Sequence, residues 1–138
     1  MARHLEQGLK DSSPWVRLVA VRHLPQVAAA KLNTLELLLA RLADDSPDVA
    51  AQAVTSLSQL GDKRVVRPLF ESMRTCRSVK VQARVVEALA RLDCPDLIEM
   101  LYERLWPAAH LTLRIALVRA LGELAEKNDR FRGWLTEL

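Results

Sequence analysis

Apolar residues recur along the chain at helical spacing, and the whole pattern repeats. Residues 16–24, 49–57, 81–89 and 113–121 align without gaps, their starts 33, 32 and 32 residues apart. Counting each start as offset 0, apolar side chains stand at 0, +4, +8 and +11, the last being Val27, Leu60, Leu92 and Leu124. That spacing draws one stripe along a helix of 3.6 residues per turn. Offset +5 is valine in every copy: Val21, Val54, Val86 and Val118. Recurrence of one residue type at one offset predicts an equivalent packing environment in all four copies. A second helical pattern precedes each segment, at Leu35/Leu38/Leu42, Val66/Leu69/Met73 and Leu97/Leu101/Leu105, shortened to Leu5/Leu9 at the start. Each repeat is therefore predicted to be a leading helix, a turn and a trailing helix.

The residues between these patterns agree. Ser13-Pro14 and Ser46-Pro47 place a capping hydroxyl before a proline at the first helical position, where no amide bond is lost. Ser78 is positioned to cap the third trailing helix. Trp106-Pro107 closes a leading helix, because the residue before proline avoids the helical region. Gly61-Asp62 and Asp93-Cys94-Pro95 end the second and third trailing helices. The expected architecture is all-α: one domain over 1–138, a solenoid of four hairpins at about 1–30, 31–62, 63–94 and 95–127, with a C-terminal cap at 128–138. Phe131, Trp134, Leu135 and Leu138 give that cap its apolar side, and Trp134 is expected to plug the end. Leu5 and Leu9 make a thin N-terminal cap, open to cover by a longer parent chain or a second subunit.

Composition narrows the class. The chain has 138 residues, 50% of them apolar but only 4% aromatic, with 4 glycines. Such a balance favours helices over a barrel or sandwich and gives a core that needs no disulfide or metal. No apolar run approaches the roughly 20 residues that span a bilayer, and Met1-Ala2-Arg3-His4-Leu5-Glu6 turns acidic too early for a signal peptide. Cys76 and Cys94 match no metal or redox spacing, so both are expected as free thiols in a reducing, cytoplasmic setting. The net charge of +3 is too small to argue for nucleic acid by itself.

The run Leu57-Ser-Gln-Leu-Gly-Asp-Lys-Arg-Val-Val-Arg-Pro-Leu69 resembles the HEAT repeats, specifically the short type first described in phycobilisome lyases. Asp11-Ser-Ser-Pro-Trp-Val-Arg17 and Asp45-Ser-Pro-Asp-Val49 are similar to that family's turn into the trailing helix. The arginine usual after the first apolar residue is present as Arg17 and Arg114, but Ala50 and Gln82 replace it elsewhere, and the acidic turn residues Asp11 and Asp45 give way to Arg77 and Ala109. No continuous Asp–Arg ladder is expected. The resemblance implies a helical solenoid and leaves function open among three classes: a protein-interaction scaffold, a bilin lyase-type enzyme subunit acting on phycobiliproteins, and a nucleic-acid binder.

If the trailing helices line the concave side, as in HEAT-like proteins, their outward positions form the candidate surface. Helical-wheel placement points to offsets +6 (Arg22, Thr55, Glu87, Arg119), +10 (Gln26, Gln59, Arg91, Glu123) and, at the edge, +3 (Val19, Gln52, Arg84, Ala116), with Gln52 and Arg84 the polar members of that edge. Residues 62–93 carry eight basic and four acidic side chains. Lys63, Arg64, Arg67, Arg74, Arg77 and Lys80 form a candidate basic patch for phosphate or an acidic protein, with Arg84 and Arg91 adding to it. Glu71 and Glu87 stand at helical spacing to neutralise part of it.

Reactive constellations are not evident. His4, His23 and His110 are far apart in sequence, so no metal or cofactor site is expected. His23, at offset +7 where other copies have Ser56, Ala88 and Ala120, reads as a partly buried packing residue. Cys76 reads as an incidental surface thiol. Trp15 and Trp106 are expected to bridge neighbouring repeats. The leading expectation is a non-catalytic module that binds another protein, as a monomer or as a dimer through an exposed terminal repeat.

Overall fold

A computed structural model describes residues 2–28 and 32–136. Hairpins follow in chain order: α1 (Ala2–Gly8) with α2 (Pro14–Ala28), α3 (Leu32–Ala40) with α4 (Pro47–Leu60), α5 (Val66–Thr75) with α6 (Val79–Arg91), and α7 (Pro95–Leu105) with α8 (Leu111–Lys127). A further helix, α9 (Asp129–Thr136), follows α8. Arg41–Ala43, Lys63–Val65 and Trp106–Ala108 form 3-10 turns. There is no strand among the described residues. The trailing helices α2, α4, α6 and α8 pack directly on one another in a row, while the leading helices pack mainly within their own hairpins. This is an all-α solenoid. Alanines (Ala20, Ala51, Ala53, Ala83, Ala88, Ala116, Ala120) are buried along the trailing row, and their small side chains let successive backbones approach closely.

Each trailing helix has two flanks to cover, and the two ends of the row show which residues serve each. In α2, the first of the row, Val16, His23 and Val27 are exposed. Their counterparts Val49, Val81 and Leu113, then Ser56, Ala88 and Ala120, then Leu92 and Leu124, are buried. Offsets 0, +7 and +11 therefore face the preceding repeat. In α8, the last of the row, Leu111, Ile115 and Val118 are exposed, whereas Ala51, Ala83, Val54 and Val86 are buried. Offsets +2 and +5 face the following repeat. The expected equivalence of the four valines thus fails at one: Val21, Val54 and Val86 are inaccessible, but Val118 is 53% exposed. Its own helix is regular; among the described residues no further trailing helix packs against it. The same absence, at the other end, leaves His23 exposed where partial burial was expected.

The turns correct two further expectations. Ser46 is the N-cap of α4 and Pro47 takes the first turn, but the serine hydroxyl makes no cap bond. Asp44 Oδ1 instead accepts the Ser46 amide at 2.9 Å, and Asp11 Oδ1 accepts that of Ser13 at 2.8 Å. The acidic turn residue of the second repeat is accordingly Asp44, not Asp45. Asp44 also holds Arg17 of the preceding repeat by two bonds, from Nε and Nη2, each 3.0 Å. Among the described residues this is the single rung of an Asp–Arg ladder, since Ala50 cannot continue it. Ser78 does cap α6, accepting from the Val81 amide. Gly61 (φ 67°) ends α4 in the left-handed region, where glycine carries no steric cost; Asp93 (φ 59°) does the same after α6. Lys63 donates to the Leu92 carbonyl at the end of α6.

Pro25 lies inside α2. Having no N–H, it orphans the Val21 carbonyl four residues back. The buried Ser56 hydroxyl of α4 donates to that oxygen at 2.9 Å. This explains a serine at an offset where later copies carry alanine.

The terminal segments are partly outside the description. Leu9 is buried and Leu5 half-buried against the core. At the C-terminus, α9 forms, but the side chains of Phe131, Trp134 and Leu135, and all of Leu138, lie outside the described residues.

Three outcomes follow for stability. Val86→Ala should cost about 2 kcal/mol by chemical denaturation and Val118→Ala less than about 0.5 kcal/mol, because only Val86 is enclosed. Ser56→Ala should cost about 2 kcal/mol in the native chain but far less in a Pro25→Ala background, where an amide returns to Val21; equal costs would show that the two sites are not coupled. Burial alone would raise the Asp44 pKa, but the hydrogen bonds from Arg17 and Ser46, with the charges of Arg17 and Arg41, outweigh it and hold the carboxylate below its ordinary range. The native chain should therefore melt above Asp44→Asn at neutral pH, by on the order of 5 °C. That gap should narrow as pH falls below about 4 toward the folded-state pKa. A gap constant with pH would contradict the assignment.

Candidate functional site

Across the exposed side of α2, α4 and α6 runs a groove of about 340 Å³. Three rows line it: Trp15, Asp48 and Lys80 at offset −1, then Gln52 and Arg84 at +3, then Arg22 and Thr55 at +6, with Leu18 and Ala51 at its floor. Offsets −1, +3 and +6 are one helical face, so repetition of the hairpin brings equivalent side chains of three repeats into register. The rows also hold one another in place. Lys80 pairs with Asp48 of the preceding repeat. Arg22 Nε donates to Gln52 Oε1 at 3.5 Å, Gln52 Nε2 to Ser56 Oγ at 3.3 Å, and Ser56 onward to the carbonyl freed by Pro25. Arg84 is 3.8 Å from Glu87 one turn on. Among the lining residues three are cationic and Asp48 alone is acidic, and all four remain open to solvent. Such a face can hydrogen-bond and ion-pair with carboxylates.

Trp15 stands at one end of this groove and is 69% exposed, so it does not bridge repeats as expected. On its other side an apolar hollow of about 410 Å³ lies between α1 and α2, lined by Leu5, Gly8, Val16 and Val19. Trp106 stays within its own hairpin: its ring stacks on Tyr102 at 4.8 Å, and the Arg114 guanidinium sits over it at 5.0 Å.

Of the candidate surface residues, Arg22, Gln52, Thr55 and Arg84 line the groove, and Glu87 adjoins it through Arg84. Gln26, Gln59, Arg91, Arg119 and Glu123 lie outside its lining. Arg91 reaches the Ser58 hydroxyl at 3.3 Å, and Glu123 pairs with Lys127. The basic patch divides. Lys63, Arg64, Arg67 and Arg74 belong to the leading layer, where Arg64 is forked onto Asp62 and Arg74 pairs with Glu71. Arg77 is exposed in the α5–α6 turn, and Lys80 alone enters the groove. Trp15 and Asp48 were missed as surface residues because offset −1 precedes the apolar stripe. Its separation of four from +3 was the signal that both share a face.

Among the described residues no three His, Cys, Asp or Glu side chains gather to hold a metal ion, and no helix is long and apolar enough to cross a membrane. Both cysteines are free. Cys76 is half-buried, its sulfur accepting the Ser78 amide at 3.3 Å, and burial pushes the Cys94 thiol up.

Residues 2–78 match the family model for HEAT repeats, more than half of the chain. No curated protein matches the sequence. Helical hairpins of the right period, stacked through their trailing helices, bear out that match, and the chain belongs to the HEAT-repeat family.

Proposed function

We propose that the chain is a non-catalytic protein-interaction module whose groove takes an acidic segment of a partner protein. HEAT repeats are commonly protein-interaction scaffolds. The observation that carries the finer reading is the placement of Arg22 from the first repeat and of Lys80 and Arg84 from the third along one open groove that ends at an exposed tryptophan. Cations at the two sides of the groove, on α2 and on α6, suit an extended or helical segment with carboxylates at a matching separation. Trp15 supplies a large, rigid anchor for an apolar residue at one end of that segment. The internal pairs with Asp48 and Glu87 are exposed and weak, so exchanging them for a partner's carboxylates costs little. The chain is further read as the short HEAT type, supported by its 32–33-residue period and its Gly61-Asp62 turn.

Fluorescence anisotropy with labelled Glu/Asp-rich peptides bearing one Leu or Trp tests this directly. Acidic peptides should bind, their Lys-substituted versions should not, and Arg84→Glu or Arg22→Glu should weaken binding at least about tenfold. Trp15→Ala should weaken it by a similar factor without changing the melting temperature. If duplex DNA binds more tightly than any acidic peptide, with a steep salt dependence, the protein-partner reading fails.

A further inference from the structure

The open side of the trailing row changes in chemistry from one helix to the next. At offsets −1 and +3, α2 presents Trp15 and Val19, both exposed. The same offsets carry Asp48 and Gln52 on α4, and Lys80 and Arg84 on α6. One end of the face is therefore apolar and the other is cationic. The helix between them has no lysine or arginine at all, and at +6 it carries the neutral Thr55. Trp15 and Val19 also line the apolar hollow shared with Leu5 and Gly8 of α1, which extends the apolar end.

Packing distances set how far apart the two ends lie. Helices α2, α4 and α6 are successive neighbours in direct contact. Axes of packed helices stand about 8–10 Å apart, so α2 and α6 are separated by about 16–20 Å. An extended chain covers that span in about five or six residues, whereas a helix needs about twelve. The width of the face decides between them. Rows −1 and +6 are seven residues apart on each helix, a separation of about 10 Å. Trp15 and Arg22 on α2, with Asp48 and Thr55 on α4, line the groove along both of these rows. A helix with its side chains is about 10–12 Å across and does not fit between them. An extended strand does. Asp48 further disfavours a carboxylate over α4, which leaves the middle of the strand neutral.

We propose that the partner's acidic segment lies extended across the three trailing helices: a large apolar residue on Trp15 and Val19 of α2, a neutral stretch over α4, and a pair of carboxylates on Lys80 and Arg84 of α6, about five or six residues from the apolar one. This rests on the acidic-partner reading above and adds to it the order and spacing of the recognised residues.

Fluorescence anisotropy with labelled peptides tests it. Each carries one Leu and a Glu-Glu pair, placed either about two or about six residues apart in a Gly/Ser spacer. The longer-spaced peptide should bind the native chain at least roughly tenfold more tightly, because the shorter one reaches only one end. A proline in the middle of the longer spacer should leave affinity within about twofold, since an extended segment tolerates it and a helix does not. Replacing the peptide's Leu by Ala should weaken binding to the native chain at least about fivefold, but less than about twofold to a chain carrying Trp15→Ala and Val19→Ser. Both positions are exposed, so that chain should melt with the native one. Arg84→Glu should weaken the Leu and Ala peptides by the same factor. If no acidic peptide of either spacing binds, or Lys-substituted versions bind as well, the acidic-partner reading fails and the motif with it. If acidic peptides bind and Arg84→Glu weakens them, that reading stands; equal affinity at both spacings, loss of binding with proline, or an equal cost of Leu→Ala in the two chains then overturns the motif alone.

Discussion

Stacking of the trailing helices is the constraint from which the remaining features follow. A helix in the middle of such a row is enclosed by its own leading helix and by two neighbours, which leaves one open side. The enclosed sides must be apolar and, where backbones come close, small. This is why alanine recurs among the buried positions of α4, α6 and α8 and why Ser56 is tolerated only with a buried acceptor beside it. Pro25 and Ser56 act as a pair across the α2–α4 joint: the first removes a helical hydrogen bond, and the second supplies its replacement from the next repeat. A local defect in one helix thereby becomes a specific contact between two.

How much of this was legible in the sequence depended on whether the cause was local. The period, both helices of each hairpin and the Gly61 turn follow from spacing and backbone preference, and they stand as expected. Val118 does not, because its helix is normal and only the absence of a neighbour sets its exposure. His23 fails for the same reason, with no trailing helix before α2 among the described residues, whereas Trp15 fails because offset −1 lies on the open side, as Asp48 and Lys80 do. Asp44 and Asp45 are adjacent acids, and only geometry shows that Asp44 accepts the Ser46 amide and the Arg17 guanidinium together. The Ser56–Val21 bond spans 35 residues, and no pattern within one repeat announces it.

The groove was half legible. Wheel arithmetic found offsets +3 and +6 but ran toward +10, the C-terminal half of each trailing helix. The groove instead lies over the N-terminal half, where offset −1 joins the same face. Charge arithmetic was misleading in a related way. Eight basic residues between 62 and 93 suggested one patch, but a hairpin places consecutive residues in two layers. Lys80 and Arg84 enter the groove, while Lys63, Arg64, Arg67 and Arg74 stay in the leading layer. Clustering along the chain does not mean clustering on a surface when the chain turns back every dozen residues or so.

The same geometry explains why family membership fixes the architecture and leaves the partner to the individual chain. Positions that face a neighbouring helix must satisfy packing that every repeat shares, so they converge on Val, Leu and Ala. The open side of each trailing helix has no such duty, and there the four copies differ: Arg22, Thr55, Glu87 and Arg119 occupy one offset with four different environments. Recognition is written in the residues that stacking does not use. In this chain those residues include three cations, two of them held by Asp48 and Gln52 of α4 and the third by Glu87 of its own helix α6. Because Gln52 also donates to Ser56, the groove rests on the joint between α2 and α4, and its shape is set by the same contact that repairs the break at Pro25.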